Sequence, residues 1–201
     1  MLKPSIRHRY TMAFLKSAER HIQEGAKHLQ EKNYEKALKS FKNAEKKKQD
    51  DPILMDYLSQ AYAALYDLEK ANEYILKAIT LEPEAPVHKQ LYATYLMRQG
   101  KNDEAIPVID EVLEVQPVGI MYVLRGQADY NLDNLDSAMT FFEKALELDP
   151  KNPLANHMKG LVLYRRESYS EAIPYLETAL SFGEVESLKN ILDVCKKKSG
   201  E

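Results

Sequence analysis

The chain has 201 residues, of which 44% are hydrophobic and 29% charged, enough to build one ordinary core or a short array of repeats. A formal net charge of −3, with only seven glycines and nine prolines, argues against a nucleic-acid-binding protein, a disordered chain and a turn-rich β fold. The charge is unevenly distributed: residues 1–50 carry thirteen basic and six acidic side chains, whereas residues 51–201 carry fifteen and twenty-five.

The N-terminal 17 residues are basic, and no apolar run of signal-peptide length follows them. The sequence also lacks the stretch of about 18 consecutive apolar residues that a membrane-spanning helix needs. Cys195 is the single cysteine, so an internal disulfide is impossible and a reducing compartment is favoured. These features predict a cytoplasmic protein without a transmembrane segment.

Alanines recur at a nearly constant interval in similar segments. Five of them are spaced by 34, 34, 33 and 34 residues: Ala37, Ala71, Ala105, Ala138 and Ala172. A second small residue precedes each by twelve positions: Gly25, Ser59, Ala93, Gly126 and Gly160. Apolar residues between them are three or four apart, as in Leu58, Tyr62 and Leu65, which is the period of an α-helix. The pattern predicts five helix pairs whose two helices cross where side chains are small.

The expected helix boundaries carry their own signals. Asp51 and Asn152 each directly precede a proline, an arrangement typical of a capping side chain followed by the first helical turn. Pro107 and Pro174 are expected in the first turn of the second helices of their pairs, where a missing N–H has no intrahelical acceptor.

This pattern resembles the tetratricopeptide repeat (TPR), a helix-turn-helix unit of 34 residues with small residues at fixed positions. The likeness covers about residues 18–184 and implies an all-α TPR solenoid, a right-handed superhelix of repeats. The expected division is a basic, partly helical extension (1–17), five repeats (18–51, 52–85, 86–118, 119–152 and 153–184), and a capping helix with a basic tail (185–201). Arg125 departs from the family pattern, because an apolar residue is usual at its position.

Both ends of the array are expected to be helical. The first helix is predicted to begin near Tyr10. After Gly183, an apolar stripe every three or four residues predicts a capping helix: Val185, Leu188, Leu192 and Cys195. Cys195 is interpreted as a half-buried core residue.

The resemblance implies a non-enzymatic scaffold or adaptor that binds a peptide or helix of a partner protein in a concave groove lined by the first helices. Amides in this lining suit a peptide backbone, tyrosines supply rigid contact area, and arginines suit a carboxylate. The expected groove residues are Gln60, Thr94, Arg98, Gln127, Tyr130, Asn131, His157, Leu161, Tyr164 and Arg165.

Two alternative functions stay open at this stage. A dedicated chaperone, for instance of a secretion system, is compatible with the size and with the acidic bias of residues 51–201. A self-assembling structural protein, and hence a homo-oligomer, is compatible with the uneven charge and with an apolar, basic segment at residues 1–16. The carboxylate clamp of TPR co-chaperones is absent, since the matching positions in the first three repeats are Ile22, Ala26, Tyr57, Val87 and Leu91.

No catalytic, cofactor or metal site is predicted. The sequence has no nucleophile elbow, phosphate-binding loop or zinc-protease motif. His21 and His28 are seven residues apart, which is wide for a zinc pair. A lysine stripe without interleaved aromatics is interpreted as a solvated outer face rather than a nucleic-acid surface: Lys32, Lys36, Lys39, Lys42 and Lys46.

Overall fold

The computed structural model describes residues 6–200, with side chains from residue 17 onward. All regular structure in this range is helical. The helices are α1 (Ile6–Gln30), α2 (Tyr34–Glu45), α3 (Pro52–Ala64), α4 (Leu68–Leu81), α5 (Pro86–Arg98), α6 (Asn102–Val115), α7 (Gly119–Asn131), α8 (Leu135–Leu148), α9 (Pro153–Arg165), α10 (Tyr169–Leu180) and α11 (Glu186–Ser199).

Side-chain caps define the starts of α3 and α9, as the sequence predicts. The Asp51 carboxylate accepts hydrogen bonds from the backbone N–H groups of Ile53 and Leu54, at 3.0 and 3.1 Å. The Asn152 side-chain oxygen accepts one from the N–H of Ala155 at 2.9 Å. Each contact satisfies a donor that the first helical turn leaves without an intrahelical partner.

The turn between the two helices of each pair contains one residue in the left-handed backbone region. These residues have φ between 59° and 73° and again lie 33 or 34 positions apart: Lys32, Tyr66, Gly100, Asp133 and Glu167. Gly100 alone among them lacks the Cβ that makes this conformation costly. The helix pair therefore imposes the same turn on four residues that do not favour it.

The prolines of the second helices lie deeper than the sequence analysis expected. Pro107 and Pro174 are each the sixth residue of their helix, in the second turn rather than the first. The carbonyls of Asp103 and Ser170, four residues earlier, therefore lose their usual intrahelical donor. Both prolines lie on the exposed side of the helix, where water can replace that donor, so the helices continue through them.

The two ends also differ from expectation. α1 begins at Ile6, four residues before Tyr10. α11 begins at Glu186, so Val185 precedes it and is 47% exposed, whereas Leu188, Leu192 and Cys195 are buried as predicted. Cys195 is fully buried rather than half-buried, because it packs into the core formed by α9, α10 and α11.

The described residues divide into two compact units, one up to Tyr95 and one from Leu96. In the first unit α1 packs on α2, α2 on α3 and α3 on α4, and α1 also contacts α3 directly. Phe41, Leu58, Ile75 and Tyr95 are among the buried side chains of its core. Each helix thus buries an apolar stripe against the next.

The second unit repeats this arrangement. Each of the helices α6 to α10 packs on its successor, and α7 contacts α9 as α9 contacts α11. Its core includes Val123, Phe142, Val162 and Leu176. Within a unit, therefore, first helices of neighbouring pairs touch one another and form a layer distinct from the second helices.

The recurring glycines Gly25, Gly126 and Gly160 lie where the helices of their pairs approach closely. The five recurring alanines are all fully buried. A Cβ placed on Gly25 would lie 2.4 Å from a ring carbon of Phe41, and one on Gly160 would lie 2.5 Å from Leu176 Cδ2. The small residue of the first helix thus makes room for the large residue four positions after the alanine of the second helix.

Candidate functional site

The predicted binding residues of the second unit lie mainly on α7 and α9, two first helices that contact each other. Gln127, Tyr130 and Asn131 are spaced three and four apart on α7 and therefore share one helix face. Tyr164 and Arg165 lie at the end of α9. We call the surface formed by these five residues the α7–α9 face.

An arginine, a tyrosine and an aspartate meet at the edge of this face. The guanidinium of Arg165 lies 5.0 Å from the centre of the Tyr130 ring and donates a 2.5 Å hydrogen bond to Asp133, in the turn after α7. That hydrogen bond raises the pKa of Arg165 above its usual range. The cation that the sequence assigned to a partner's carboxylate therefore already pairs with Asp133, and an incoming carboxylate would have to compete.

The amide side chains differ in how far they are engaged. Asn131 is exposed and donates to the side-chain oxygen of Asn102 at 3.0 Å. Gln127 and its counterpart Gln60 on α3 are half-buried, and neither side-chain amide forms a hydrogen bond within residues 17–200. These two amides are therefore available to an external donor or acceptor.

His157 and Leu161 do not belong to the α7–α9 face. Leu161 is half-buried and packs against the cores on both sides of α9. His157 instead lines a cleft of about 330 Å³ between α9, the end of α10 and the start of α11. We call it the α9–α11 cleft; its lining is Pro153, Leu154, His157, Ala179, Phe182, Gly183, Val185 and Leu188. Burial lowers the pKa of His157, which keeps the imidazole neutral.

The remaining predicted residues lie on α5. The Thr94 hydroxyl donates to the backbone carbonyl of Gln90 at 2.8 Å, which occupies its proton within the helix. Arg98 is exposed at the end of the helix. Five of the ten predicted residues thus lie on α7 and at the end of α9, where Arg165 contacts Tyr130, and Leu161 packs partly against the core.

A buried polar network in the second unit was missed by the sequence analysis. Arg125 pairs with Asp110 at 2.8 Å and with Asp129, and Asp129 also accepts a 2.5 Å hydrogen bond from Ser137. Asp129 is 3% exposed. The sequence carried one signal of this network, which is that Arg125 occupies a position where an apolar residue is usual. A buried arginine requires a carboxylate partner, so an acidic residue could have been expected nearby.

One lysine of the predicted outer stripe, Lys42, is only half-exposed and is engaged by other side chains. The Lys42 ammonium donates to Glu45 at 3.0 Å and to the Tyr74 hydroxyl, and it lies 4.6 Å from the centre of the Tyr74 ring. Burial opposes its charge, but these hydrogen bonds outweigh burial and raise the pKa of Lys42. Lys42 therefore joins α2 to α4 through Tyr74 while its side chain stays partly exposed.

The two histidines of α1 lie beside acidic side chains of the same helix. His21 and His28 each lie 3.4 Å from a glutamate of their own helix, Glu24 and Glu31. No group of three histidine, cysteine or acidic side chains between residues 17 and 200 is placed to hold a metal ion. None of the described helices combines the length and the apolar character that crossing a membrane requires.

Sequence relatives share the repeat. Two family models described as tetratricopeptide repeat match residues 93–153 and 58–84. Human tetratricopeptide repeat protein 13 is 28% identical over 155 residues, 73% of this chain and 18% of the relative. Mouse tetratricopeptide repeat protein 21A is 28% identical over 163 residues, 79% of this chain and 12% of the relative. The chain therefore spans less than a fifth of the length of these curated relatives.

Solved structures share the fold at low identity. Pseudomonas aeruginosa PilF superposes with a TM-score of 0.82 at 18% identity, covering 92% of this chain and 85% of the other. MamA from Desulfovibrio magneticus RS-1, from residue 41 to its end, gives 0.76 at 21% identity, covering 82% and 94%. With the recurring small residues, the left-handed turns and the family matches, these similarities show that the chain contains tetratricopeptide repeats and has the all-helical fold of tetratricopeptide-repeat solenoids.

Proposed function

We propose that the chain is a non-enzymatic protein-interaction scaffold or adaptor that binds a peptide or helix of a partner protein on the first-helix side of its repeats. The observation that carries this proposal is the α7–α9 face. One helix face there combines the unengaged amide of Gln127 with the half-buried ring of Tyr130 and the amide of Asn131. Amides and tyrosines bind a peptide backbone and its side chains at low entropic cost.

The pairing of Arg165 with Asp133 bears on which kind of partner segment the α7–α9 face can select. Because the guanidinium is already neutralised, the face does not select for an acidic partner, and contact area and amide hydrogen bonds supply the affinity. We expect a partner segment with an exposed backbone amide and an apolar or aromatic side chain for Tyr130. A cytoplasmic location stays a prediction that rests on the single cysteine.

The test selects random 12-residue peptides that bind the full chain and then measures their affinity for variants. Gln127→Ala and Tyr130→Ala should each weaken the selected peptides about 5- to 50-fold, which corresponds to about 1–2.3 kcal/mol. Thr140→Ala is the control, because Thr140 is exposed on α8, in the layer of second helices. If folded Gln127→Ala and Tyr130→Ala proteins bind every selected peptide as tightly as the control does, the proposal is wrong.

A further inference from the structure

Large apolar side chains are exposed around the α9–α11 cleft. Phe182 is 56% exposed, Val185 47% and Leu154 38%, and all three line this cleft of about 330 Å³. The floor is formed by Ala179 and Leu188, which are buried. The cleft therefore leaves a contiguous apolar surface uncovered, and apolar surface of this kind is stabilised when another segment covers it.

Carboxylates flank the same surface. Glu184 and Glu186 stand on either side of Val185 and are exposed, and neither forms an ion pair within the described part of the chain. A third glutamate nearby, Glu177, is already paired with Lys196 at 2.6 Å. The unpaired carboxylates favour an occupant that carries basic as well as apolar side chains.

The N-terminal segment of this chain has that chemistry. Residues 1–16 contain four basic residues and no acidic residue: Lys3, Arg7, Arg9 and Lys16. They also contain apolar residues four apart in sequence at Ile6, Tyr10 and Phe14. The remainder of the sequence is acidic, since residues 17–201 carry 31 acidic and 24 basic side chains.

The helix that contains this segment is longer than its counterparts. α1 has 25 residues, whereas α3, α7 and α9 have 13 each. Twelve additional residues extend an α-helix by about 18 Å at 1.5 Å per residue. The first repeat needs only the part of α1 that packs on α2, where Gly25 meets Phe41 and Ala18 is buried. The additional turns are therefore not required to complete the repeat.

We propose that residues 1–16 of one copy dock into the α9–α11 cleft of a second copy. Apolar side chains of the segment cover Phe182, Val185 and Leu154, and its arginines pair with Glu184 and Glu186. The contact is heterologous, joining the beginning of one chain to the end of the next, so copies assemble head to tail. It uses a surface other than the α7–α9 face and is independent of the function proposed above.

The first measurement is the solution mass of the full chain by light scattering at low and high salt. We expect oligomers in 50 mM NaCl that dissociate at 500 mM, because exposed ion pairs are screened at high ionic strength. The charge-reversed variant Arg7→Glu/Arg9→Glu should be monomeric at both salt concentrations. If the full chain is monomeric at 100 µM and low salt, the proposal is wrong. This conclusion also holds if residues 1–16 of the monomer occupy the cleft of their own chain.

The second measurement locates the contact. A fluorescent synthetic peptide of residues 1–16 is titrated with the full-length Arg7→Glu/Arg9→Glu chain, whose own segment is disabled. Adding Phe182→Ser or Glu184→Gln/Glu186→Gln should weaken binding at least tenfold. Val194→Ser and Glu171→Gln are matched controls, since both residues are exposed but outside the cleft lining, and they should leave affinity unchanged. Equal affinity for cleft and control variants overturns the assignment.

Reversing the charges on both the peptide and the cleft should restore binding, which a misfolded variant could not do. A peptide carrying Arg7→Glu and Arg9→Glu should bind the Glu184→Lys/Glu186→Lys chain more tightly than it binds the parent. Failure of this rescue, with the variant chain folded by circular dichroism, counts against pairing between these residues. Gln127→Ala should not change peptide 1–16 binding, which separates this proposal from the function of the α7–α9 face.

Discussion

Gly126 of α7 faces the ring of Phe142 of α8 so closely that a Cβ on the glycine would lie 2.6 Å from a ring carbon. Phe142 is fully buried and cannot move aside without displacing its own neighbours. Replacing Gly126 with alanine should therefore destabilise the protein. Overpacking typically costs about 1–3 kcal/mol, and the better helix propensity of alanine offsets part of that loss.

Gly119 at the start of the same helix is the matched control. A Cβ there would meet no atom within 4 Å, so Gly119→Ala should be neutral or stabilising by up to about 1 kcal/mol. Urea unfolding of both variants gives the comparison. Equal free energies of unfolding would contradict the claim that close approach of the helices requires glycine at position 126.

Arg125 and Asp129 should depend on each other energetically. Their side chains are 13% and 4% exposed, so removing one leaves the other with a buried, less compensated charge. Arg125→Leu alone should cost about 3–5 kcal/mol, reduced to the extent that Ser137 still donates to Asp129. The double variant Arg125→Leu/Asp129→Ala should recover much of that loss, because the one carboxylate that still lacks its partner, Asp110, is 45% exposed and can be solvated. A double-mutant cycle measures the coupling, and additive losses would contradict it.

Repeat periodicity accounts for what the sequence could predict. The recurring small residues lie on a strict 33- or 34-residue period, and a pattern repeated five times identifies helix pairs even where single positions depart from it. Caps at Asp51 and Asn152 follow from local hydrogen-bonding chemistry alone. Helix pairs, caps and the buried alanines were therefore predicted correctly.

Features that depend on pairs of distant side chains were not predicted. The engagement of Arg165 by Asp133 joins residues 32 positions apart, and the contact of Lys42 with Tyr74 has the same separation. The position of Pro107 was misjudged because a proline early in a helix is a common signal of the first turn, whereas exposure permits it in the second. Long-range pairing leaves no mark on local periodicity.

Adding a Cβ and removing a Cβ in the left-handed turns should have opposite effects on the stability of the protein. Gly100→Ala introduces a Cβ at φ 73° and should cost about 1 kcal/mol. Lys32→Gly removes a Cβ at φ 59°, which relieves the strained turn, but glycine also gives the unfolded chain more conformational entropy to lose. The net effect should lie between neutral and a stabilisation of about 1 kcal/mol. Thermal unfolding of both variants measures the difference. Destabilisation by Lys32→Gly would show that the lysine side chain, rather than backbone geometry, maintains that turn.

Cys195 should report the local opening of α11. Burial raises the pKa of its thiol, which leaves little reactive thiolate at neutral pH, and the sulfur is inaccessible in the folded state. Reaction with a thiol reagent should be at least about 100-fold slower in the native protein than in denaturant, equivalent to about 2.8 kcal/mol of opening free energy. A native rate equal to the denatured rate would contradict packing of α11 on α10. The destabilised variant Leu188→Ala should react faster than the parent.

Asp56 should make stability rise on mild acidification. Burial raises the pKa of its carboxyl; the charge of a protonated His88 opposes this shift but does not cancel it. Asp56 Oδ1 lies 3.4 Å from His88 Nδ1, and neither atom has a hydrogen-bond partner among the described residues. Because the folded state binds the proton more tightly than the unfolded state, this carboxyl destabilises the fold at pH values above its folded pKa. That cost disappears as the pH falls towards the unfolded value of about 3.9.

The variant Asp56→Asn removes the titrating group and so isolates its contribution. Its free energy of unfolding should exceed that of the parent at pH 7, and the difference should shrink as the pH approaches about 4. The exposed residue Asp50 provides the control Asp50→Asn, for which no such convergence is expected. Urea unfolding between pH 7 and pH 4 measures both. A lower stability of Asp56→Asn at pH 7 would show instead that attraction between Asp56 and a charged His88 exceeds the cost of burying the carboxylate.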